Sequence, residues 1–348
     1  MTKFTITNKE LKKPLSICAT IAPVSSPMQI LQNIWFQDGK LVASDGQSQI
    51  SVLANVKGNF TVPADKLKKL CSAFSDDAVL DFEIKGDKAT VKSGKSRLTL
   101  PIIAPDMFPS PTLGGSPSCL TLKQEDIKYH IKNVIHAMSQ ADVRQWMNAI
   151  SFRNQETLMV AATTGIELAT SAQAIEGDKF DFSLPAGVVS KVEKLMSDGE
   201  VTLSLYENKA VFIFGTVELI VPLMEDKYKD VLRAIPKLST PITFSKAEFM
   251  DMSARAAINA SRFAGALIQL KENELTIECK DFGAESSDSM AVSYSGPDVE
   301  FGYNILQLRN AVSSMQSDTV EMHIAENGTA LVISDGGMQR NVISCMRI

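Results

Sequence analysis

Apolar and polar residues alternate with period two in short runs along most of the chain, and the runs recur in one order three times. Phe4-Thr5-Ile6-Thr7, Leu120-Thr121-Leu122-Lys123 and Ile242-Thr243-Phe244-Ser245 each alternate as a half-buried strand does. Each leads into a lysine-bearing amphipathic segment. A second echo lies inside each third. Val62-Pro63-Ala64 precedes Leu67-Lys68-Lys69-Leu70, and Leu184-Pro185-Ala186 precedes Val192-Glu193-Lys194-Leu195. Phe301-Gly302-Tyr303-Asn304 precedes Leu308-Arg309-Asn310-Ala311, more loosely. Hairpins are predicted next, over Val79–Val91, Val201–Phe214 and Val320–Ile333. Their turns fall at Lys85-Gly86-Asp87, Glu207-Asn208 and Glu326-Asn327-Gly328. Asn8 and Ser245 are placed to cap helices that start at Lys9 and Lys246.

The period, roughly 120 residues, is that of a domain and not of a solenoid unit. Each third reads as strand, helix, several strands, helix and hairpin, an α+β unit with two helices on antiparallel sheet. The richest proline and glycine stretch runs from Pro101 to Pro117, and Pro236 and Pro241 bracket a second joint. The expected domains are therefore 1–117, 118–239 and 240–348. Three like domains imply pseudo-symmetry, which suits a symmetric partner or a ring.

Composition narrows the picture. With 45% hydrophobic and 22% charged residues, the chain can pack ordinary cores. Its longest apolar runs, such as Val211-Phe212-Ile213-Phe214, are strand-length, so no membrane span is expected. Met1-Thr2-Lys3-Phe4 enters a strand directly, without a signal segment. Cys18, Cys71, Cys119, Cys279 and Cys345 are scattered and odd in number, as in a reduced cytoplasmic protein. Net charge is −5, but the six predicted helix windows hold +6, leaving −11 on the remainder. Basic helices on an acidic body suggest one face turned to a polyanion. Lysines that merely solvate helix faces would give a similar count; recurrence at equivalent places argues for a shared face.

Enzyme motifs fail. Ser93-Gly94-Lys95-Ser96 lacks the earlier glycine of a phosphate loop, which is Ala89. Asp281-Phe282-Gly283 has no accompanying kinase signatures. His130, His136 and His323 are too dispersed for a metal site, and Asn327-Gly328-Thr329 reads as a hairpin turn. No catalytic residue, metal or cofactor is implied.

Several stretches, in order and spacing, are similar to one family. They include Lys92-Ser93-Gly94-Lys95-Ser96-Arg97, Asp106-Met107-Phe108-Pro109, Asp142-Val143-Arg144 before Met147-Asn148, and Thr163-Thr164-Gly165 before Leu168-Ala169. Arg233-Ala234-Ile235-Pro236, Tyr294-Ser295-Gly296 and the closing Met346-Arg347-Ile348 complete the set. From end to end the chain resembles the bacterial DNA sliding clamps, the beta subunits of DNA polymerase III. The match is divergent, as in a clamp encoded by a phage, a plasmid or a distant lineage.

The resemblance implies a ring-forming head-to-tail homodimer of three clamp-type domains per chain, with sheets outside and helices lining a hole around double-stranded DNA. It implies a processivity factor that slides without sequence specificity and tethers DNA polymerase, the clamp loader and other proteins by short peptides. A hydrophobic cleft for those peptides would comprise Met147, Thr163, Gly165, Leu168, Arg233 and Phe263, with Asn304, Val342, Ile343, Cys345, Met346 and Arg347. DNA-facing residues would be Lys12, Lys13, Lys68, Lys69, Lys128, Lys132, Lys191 and Lys194, with Gln140 and Arg144 on a loop. At the dimer interface Leu98 and Leu100 would face Ala257 and Ile258, with Lys95 and Arg97 near Glu285 and Asp288. There are departures: Ile166-Glu167 replaces the family's usual His-Arg pair, Cys345 replaces a proline, and Val24-Ser25-Ser26-Pro27 lacks an arginine. A clamp-derived peptide-binding adaptor that does not encircle DNA, and an unrelated three-domain enzyme, stay open at this point.

Overall fold

The computed structural model describes residues 2–175, 179–239, 241–325 and 328–347. The expected turn residues Glu326 and Asn327, and the terminal Ile348, lie outside them. The first third runs β1 (Thr2–Thr7), α1 (Asn8–Cys18), β2 (Asn33–Gln37), β3 (Lys40–Ser44), β4 (Gln49–Leu53), β5 (Asn59–Pro63), α2 (Ala64–Ala73), β6 (Val79–Lys85), β7 (Lys88–Ser93) and β8 (Ser96–Pro101). The middle third repeats it: β9 (Ser118–Lys123), α3 (Gln124–Val134), β10 (Ala149–Asn154), β11 (Thr157–Thr163), β12 (Glu167–Ala174), β13 (Phe180–Pro185), α4 (Ala186–Leu195), β14 (Glu200–Leu205), β15 (Lys209–Phe214) and β16 (Val217–Pro222). So does the last: β17 (Ile242–Ser245), α5 (Lys246–Ala256), β18 (Gly265–Lys271), β19 (Glu274–Asp281), β20 (Ala284–Ala291), β21 (Val299–Asn304), α6 (Ile305–Ser314), β22 (Thr319–Ile324), β23 (Ala330–Ser334) and β24 (Arg340–Ser344). The expected closing hairpin is thus a three-stranded meander in every third.

Two compact units emerge, residues 1–125 with 190–223, and residues 126–189 with 224–348. The first holds a four-stranded sheet, β1-β6-β7-β8, and an eight-stranded one, β5-β2-β3-β4-β16-β15-β14-β9. The second holds β20-β19-β18-β21 and β13-β10-β11-β12-β24-β23-β22-β17. Each eight-stranded sheet is therefore spliced from two thirds, at β4·β16 and at β12·β24.

Helix faces follow the 3.6-residue period. Leu11, Leu15 and Cys18 of α1 are buried, as are Phe249, Met252 and Ala256 of α5. Ser245 caps α5 as expected, its hydroxyl accepting from Glu248 N–H. Asn8 does not cap α1. Thr7 does, in a capping box with Glu10. The Asn8 amide instead donates to the carbonyls of Cys71 and Phe74 at the end of α2. Gln124 occupies the same repeat position and donates to Asp198 O and Glu200 O just past α4. Lys246, the third equivalent, donates to Ser313 O and Met315 O at the end of α6. Three different side chains thus tie the first helix of each third to carbonyls at or just past the end of its second helix.

Candidate functional site

Alternation at the β12·β24 joint sorts its side chains onto two faces. Leu168 opposes Val342, and both pack with buried Val332 and half-buried Val231, Ile235 and Ala330 in an apolar cluster separate from the main core. Ile343, one residue on, points the other way, into the core with Leu331 and Ile333. It is a core residue and not a cleft wall, because adjacent strand residues cannot share a face. Val231, Ile235, Val332 and Ala330 were not foreseen. The proline-flanked 3-10 turn Val231–Ala234 has no periodicity to betray it.

Around this cluster, Thr163 Oγ1 donates to Glu167 O and accepts from Gly165 N–H, closing the loop between β11 and β12. A Cβ at Gly165, whose φ is +90°, would lie 3.0 Å from Arg144 Nη2. Arg144 forms a two-point ion pair with Asp142 and holds that carboxyl down at about 2. Arg144 thus lies against the Gly165 loop, already partnered. Met147 is buried, and Arg233 is exposed beside Asp230 at 3.1 Å. Phe263, Met346 and Arg347 line a separate depression of about 380 Å³ with Gly265 and Leu267. Asn304 caps α6, accepting from Leu306 and Gln307 N–H while its amide donates to Phe263 O, so its hydrogen bonds are largely taken. Exposed Cys345 donates its N–H to Thr329 O, Ser344 to Ile166 O and Met346 to Gly302 O. The closing strand and its extension are anchored and not frayed.

Glu167, part of the departure from the family's usual His-Arg pair, is 3% exposed and faces away from Leu168. Its Oε1 lies 3.4 Å from His136 Nε2, and neither atom has another hydrogen-bond partner among the described residues. Burial pushes the Glu167 carboxyl up to about 8 and the His136 imidazole down to about 4. One proton therefore stays with the pair across the neutral range, and no net charge reaches the apolar face.

The lysines divide. Lys13, Lys68, Lys128, Lys132 and Lys194 are exposed on helices, as is Gln140 on its loop. Lys12 meets Asp76 at 3.0 Å and Lys69 meets Asp65 at 3.6 Å, exposed pairs that leave both near solvent. Lys191 is different. Its Nζ, largely buried, bonds Asp45 at 2.5 Å and Ser48 Oγ at 3.0 Å, so it locks the β3–β4 loop and cannot serve as a mobile phosphate contact.

Two sheet edges complete the picture. β8 pairs only with β7 and β20 only with β19 among the described residues. Their repeat equivalents are all paired: β16 and β24 match β8, and β4 and β12 match β20. On β8, Leu98 is exposed, whereas Leu100 is buried and forms the floor of a groove of about 500 Å³ with Leu70 and Phe74, rimmed by Lys66, Lys69 and Arg97. Beside β20, Ile258 is 75% exposed on the 3-10 turn Ala257–Asn259, which Ser286 ties to the strand through Asn259 N–H and Ala256 O. Asp288 is engaged by Arg255 at 2.5 Å within the same third, and Glu285 by Lys280 at 3.5 Å.

Comparison with known proteins covers nearly the whole chain. Residues 2–113 match the family model of the DNA polymerase III beta subunit N-terminal domain, 121–230 its central domain and 232–346 its C-terminal domain. The beta sliding clamp of Pseudomonas putida is 25% identical over 96% of both chains, and that of Haemophilus influenzae 26% over 96% of both. Among solved structures, the DNA polymerase III beta subunit of Pseudomonas aeruginosa superimposes with a TM-score of 0.93 over 100% of both chains, at 23% identity. A clamp from the same organism bound to griselimycin gives a TM-score of 0.93 at 23% identity and 99% coverage of both chains.

Proposed function

The chain belongs to the DNA polymerase III beta subunit family, the sliding clamps, and from that premise we propose how its surfaces divide the work of a processivity factor. It has domains at 1–117, 118–239 and 240–348, and two copies join head to tail in a cytoplasmic ring around duplex DNA. The observation that carries the ring is the pair of open edges. The same splice is made twice inside the chain, and the ends left over, β8 and β20, are the two halves of a third. A heterologous contact of that kind closes by rotation when the copies complete a circle.

The repeat also supports a register. Ser44 opposes Gln49 across a four-residue loop, as Thr163 opposes Leu168 and Lys280 opposes Glu285. Gln49 in turn opposes Ile220, the fourth residue of β16, and the fourth residue of β8 is Thr99. Carried to the third splice, Glu285 opposes Thr99 of the second copy, Ser286 opposes Leu98, and Ser287 opposes Arg97. Leu98 then meets the turn that bears Ile258. Arg97 lies one step along the face from Glu285, giving a complementary charge. Asp288, held by Arg255, is not part of that exchange.

Exposed Lys13, Lys68, Lys128, Lys132 and Lys194 supply a diffuse, sequence-independent attraction to phosphates, strong enough to retain DNA and weak enough to slide. The Leu168–Val342 face, with Met147, Arg144 and the Met346 segment around it, receives short apolar peptides of polymerases and the clamp loader. Nothing in this role requires a chemical step. The test is retention: the dimer loaded on closed circular DNA stays bound through a salt wash and is lost when the circle is cut. Equal loss from circle and line would favour the adaptor that does not encircle DNA. Deleting residues 344–348 should abolish peptide binding and leave the dimer assembled; undiminished peptide binding would move the cleft elsewhere.

A further inference from the structure

Phe282 is fully exposed at the tip of the loop between β19 and β20, with φ +44°. Matching the loops position by position sets it against Gly46 and Gly165, whose φ values are +92° and +90°. Glycine adopts positive φ without strain, whereas a β-carbon makes it unfavourable. The third loop carries its glycine one place later, at Gly283 with φ +87°, and holds Phe282 before it in a left-handed conformation that a β-carbon disfavours, with the ring in solvent. Each glycine loop lies beside the strand spliced onto it. Gly46 and Gln47 share a pocket wall with Pro222, the last residue of β16. In the second splice Ile166 O accepts from Ser344 N–H, beyond the last ladder pair.

Resting on the edge pairing proposed above, we infer that Phe282 is an aromatic anchor of the protomer joint, seated on the other copy beside Ile102. The register that sets Glu285 opposite Thr99 brings the loop tip to that residue. There the second copy presents half-buried Ile102 and Ile103 beside Met107, which is 75% exposed. Ile103 packs on the Trp35–Phe108 cluster, so the seat is backed by rigid core. An exposed aromatic facing an apolar strip at the end of a strand ladder is the kind of anchor that dominates association. The occupant is a second copy of this chain, because the seat and the anchor lie at the ends of the two unpaired edges.

The test is the dimer dissociation constant by sedimentation equilibrium for the wild type, Phe282→Gly, Phe282→Ala and Leu98→Asp. Phe282→Gly relieves the backbone, so its monomer should melt no lower than wild type while the dimer weakens about tenfold or more. Phe282→Ala should weaken the dimer similarly. In Phe282→Trp, emission should shift to the blue as dimer forms on raising the concentration. Dimer constants within a factor of two of wild type for both truncations, with an unshifted tryptophan, would overturn the anchor. If Leu98→Asp still breaks the dimer, the edge pairing survives that failure; if Leu98→Asp dimerises normally, the pairing itself is wrong.

Discussion

The two splices inside the chain share a backbone arrangement and differ on one face. At the first, Gln49 faces Ile220 and Ser51 faces Glu218, whose carboxylate accepts from the serine hydroxyl at 3.4 Å. At the second, Leu168 faces Val342 and Thr170 faces Arg340, and four further aliphatic side chains extend the patch. Core-facing residues at both are equivalent: the pairs Ala43–Ile50 and Ala162–Ala169 are fully or nearly fully buried. The ladder and the core face hold a splice together, so the outer face is free to take on a task. The first carries polar side chains there, Gln49, Ser51 and Glu218, the last two bonded to each other. The second leaves aliphatic surface that gains by being covered.

The buried loop position beneath each splice differs as well. Ser48 bonds Lys191 at the first, and Glu167 meets His136 at the second.

Breaking the third splice should have the largest effect. Leu98→Asp or Ile258→Asp, each setting a charge at the centre of the joint, should weaken dimerisation by about 3 kcal/mol or more, read as monomer at low micromolar concentration. The internal splices should keep the monomer folded by circular dichroism.

Next comes pH, which separates the two internal splices. Folded Glu167, at about 8, keeps a proton that the unfolded chain releases near 4.5, so its contribution falls as pH rises between those values. Folded His136, at about 4, refuses a proton that the unfolded chain takes up near 6.5, so its contribution rises with pH between 4 and 6.5. The slopes oppose each other up to 6.5, and above it only the glutamate remains. Stability should drop by up to about 2 kcal/mol from pH 6.5 to 8, and Glu167→Gln should flatten that drop in urea titrations.

Leu168→Gln copies the first splice onto the second and should weaken a polymerase-derived peptide by about 1–2 kcal/mol in calorimetry, leaving the dimer intact. Ile220→Gln, at the place in the first splice that matches Val342, should change peptide binding little. The smallest effects lie on the helices. Neutralising Lys13 and Lys68 should lower the salt slope of DNA retention by about one per lost phosphate contact. Lys191→Gln should instead lower thermal stability, because it strands Asp45 beside Ser48.

Much of this was legible in the chain. Period-two runs placed the strands, and the threefold echo placed the helices, since both signals rest on burial that recurs. The helix caps were less legible. Thr7 and Asn8 are both competent caps, and only the proximity of α2 decides that Asn8 turns to Cys71 O. Leu168 and Val342 could be named from resemblance, but the same route swept in Ile343. Strand alternation corrects this, because residues on either side of a wall residue face the core. The engagement of Lys191 and Asp288 was illegible, since each partner comes from a different element far along the chain and no spacing encodes it, whereas the Asp142–Arg144 pair, two residues apart, was open to a local reading.

The most direct test of the account is backbone hydrogen exchange across a dilution series that passes from dimer to monomer. Amides of β4, β12, β16 and β24, spliced within the chain, should stay protected throughout. Those of β8 and β20 that point to the open side should be protected only in the dimer and exchange freely in the monomer. Equal protection of β8 and β20 at every concentration, or none at any, would contradict a third splice supplied by a second copy.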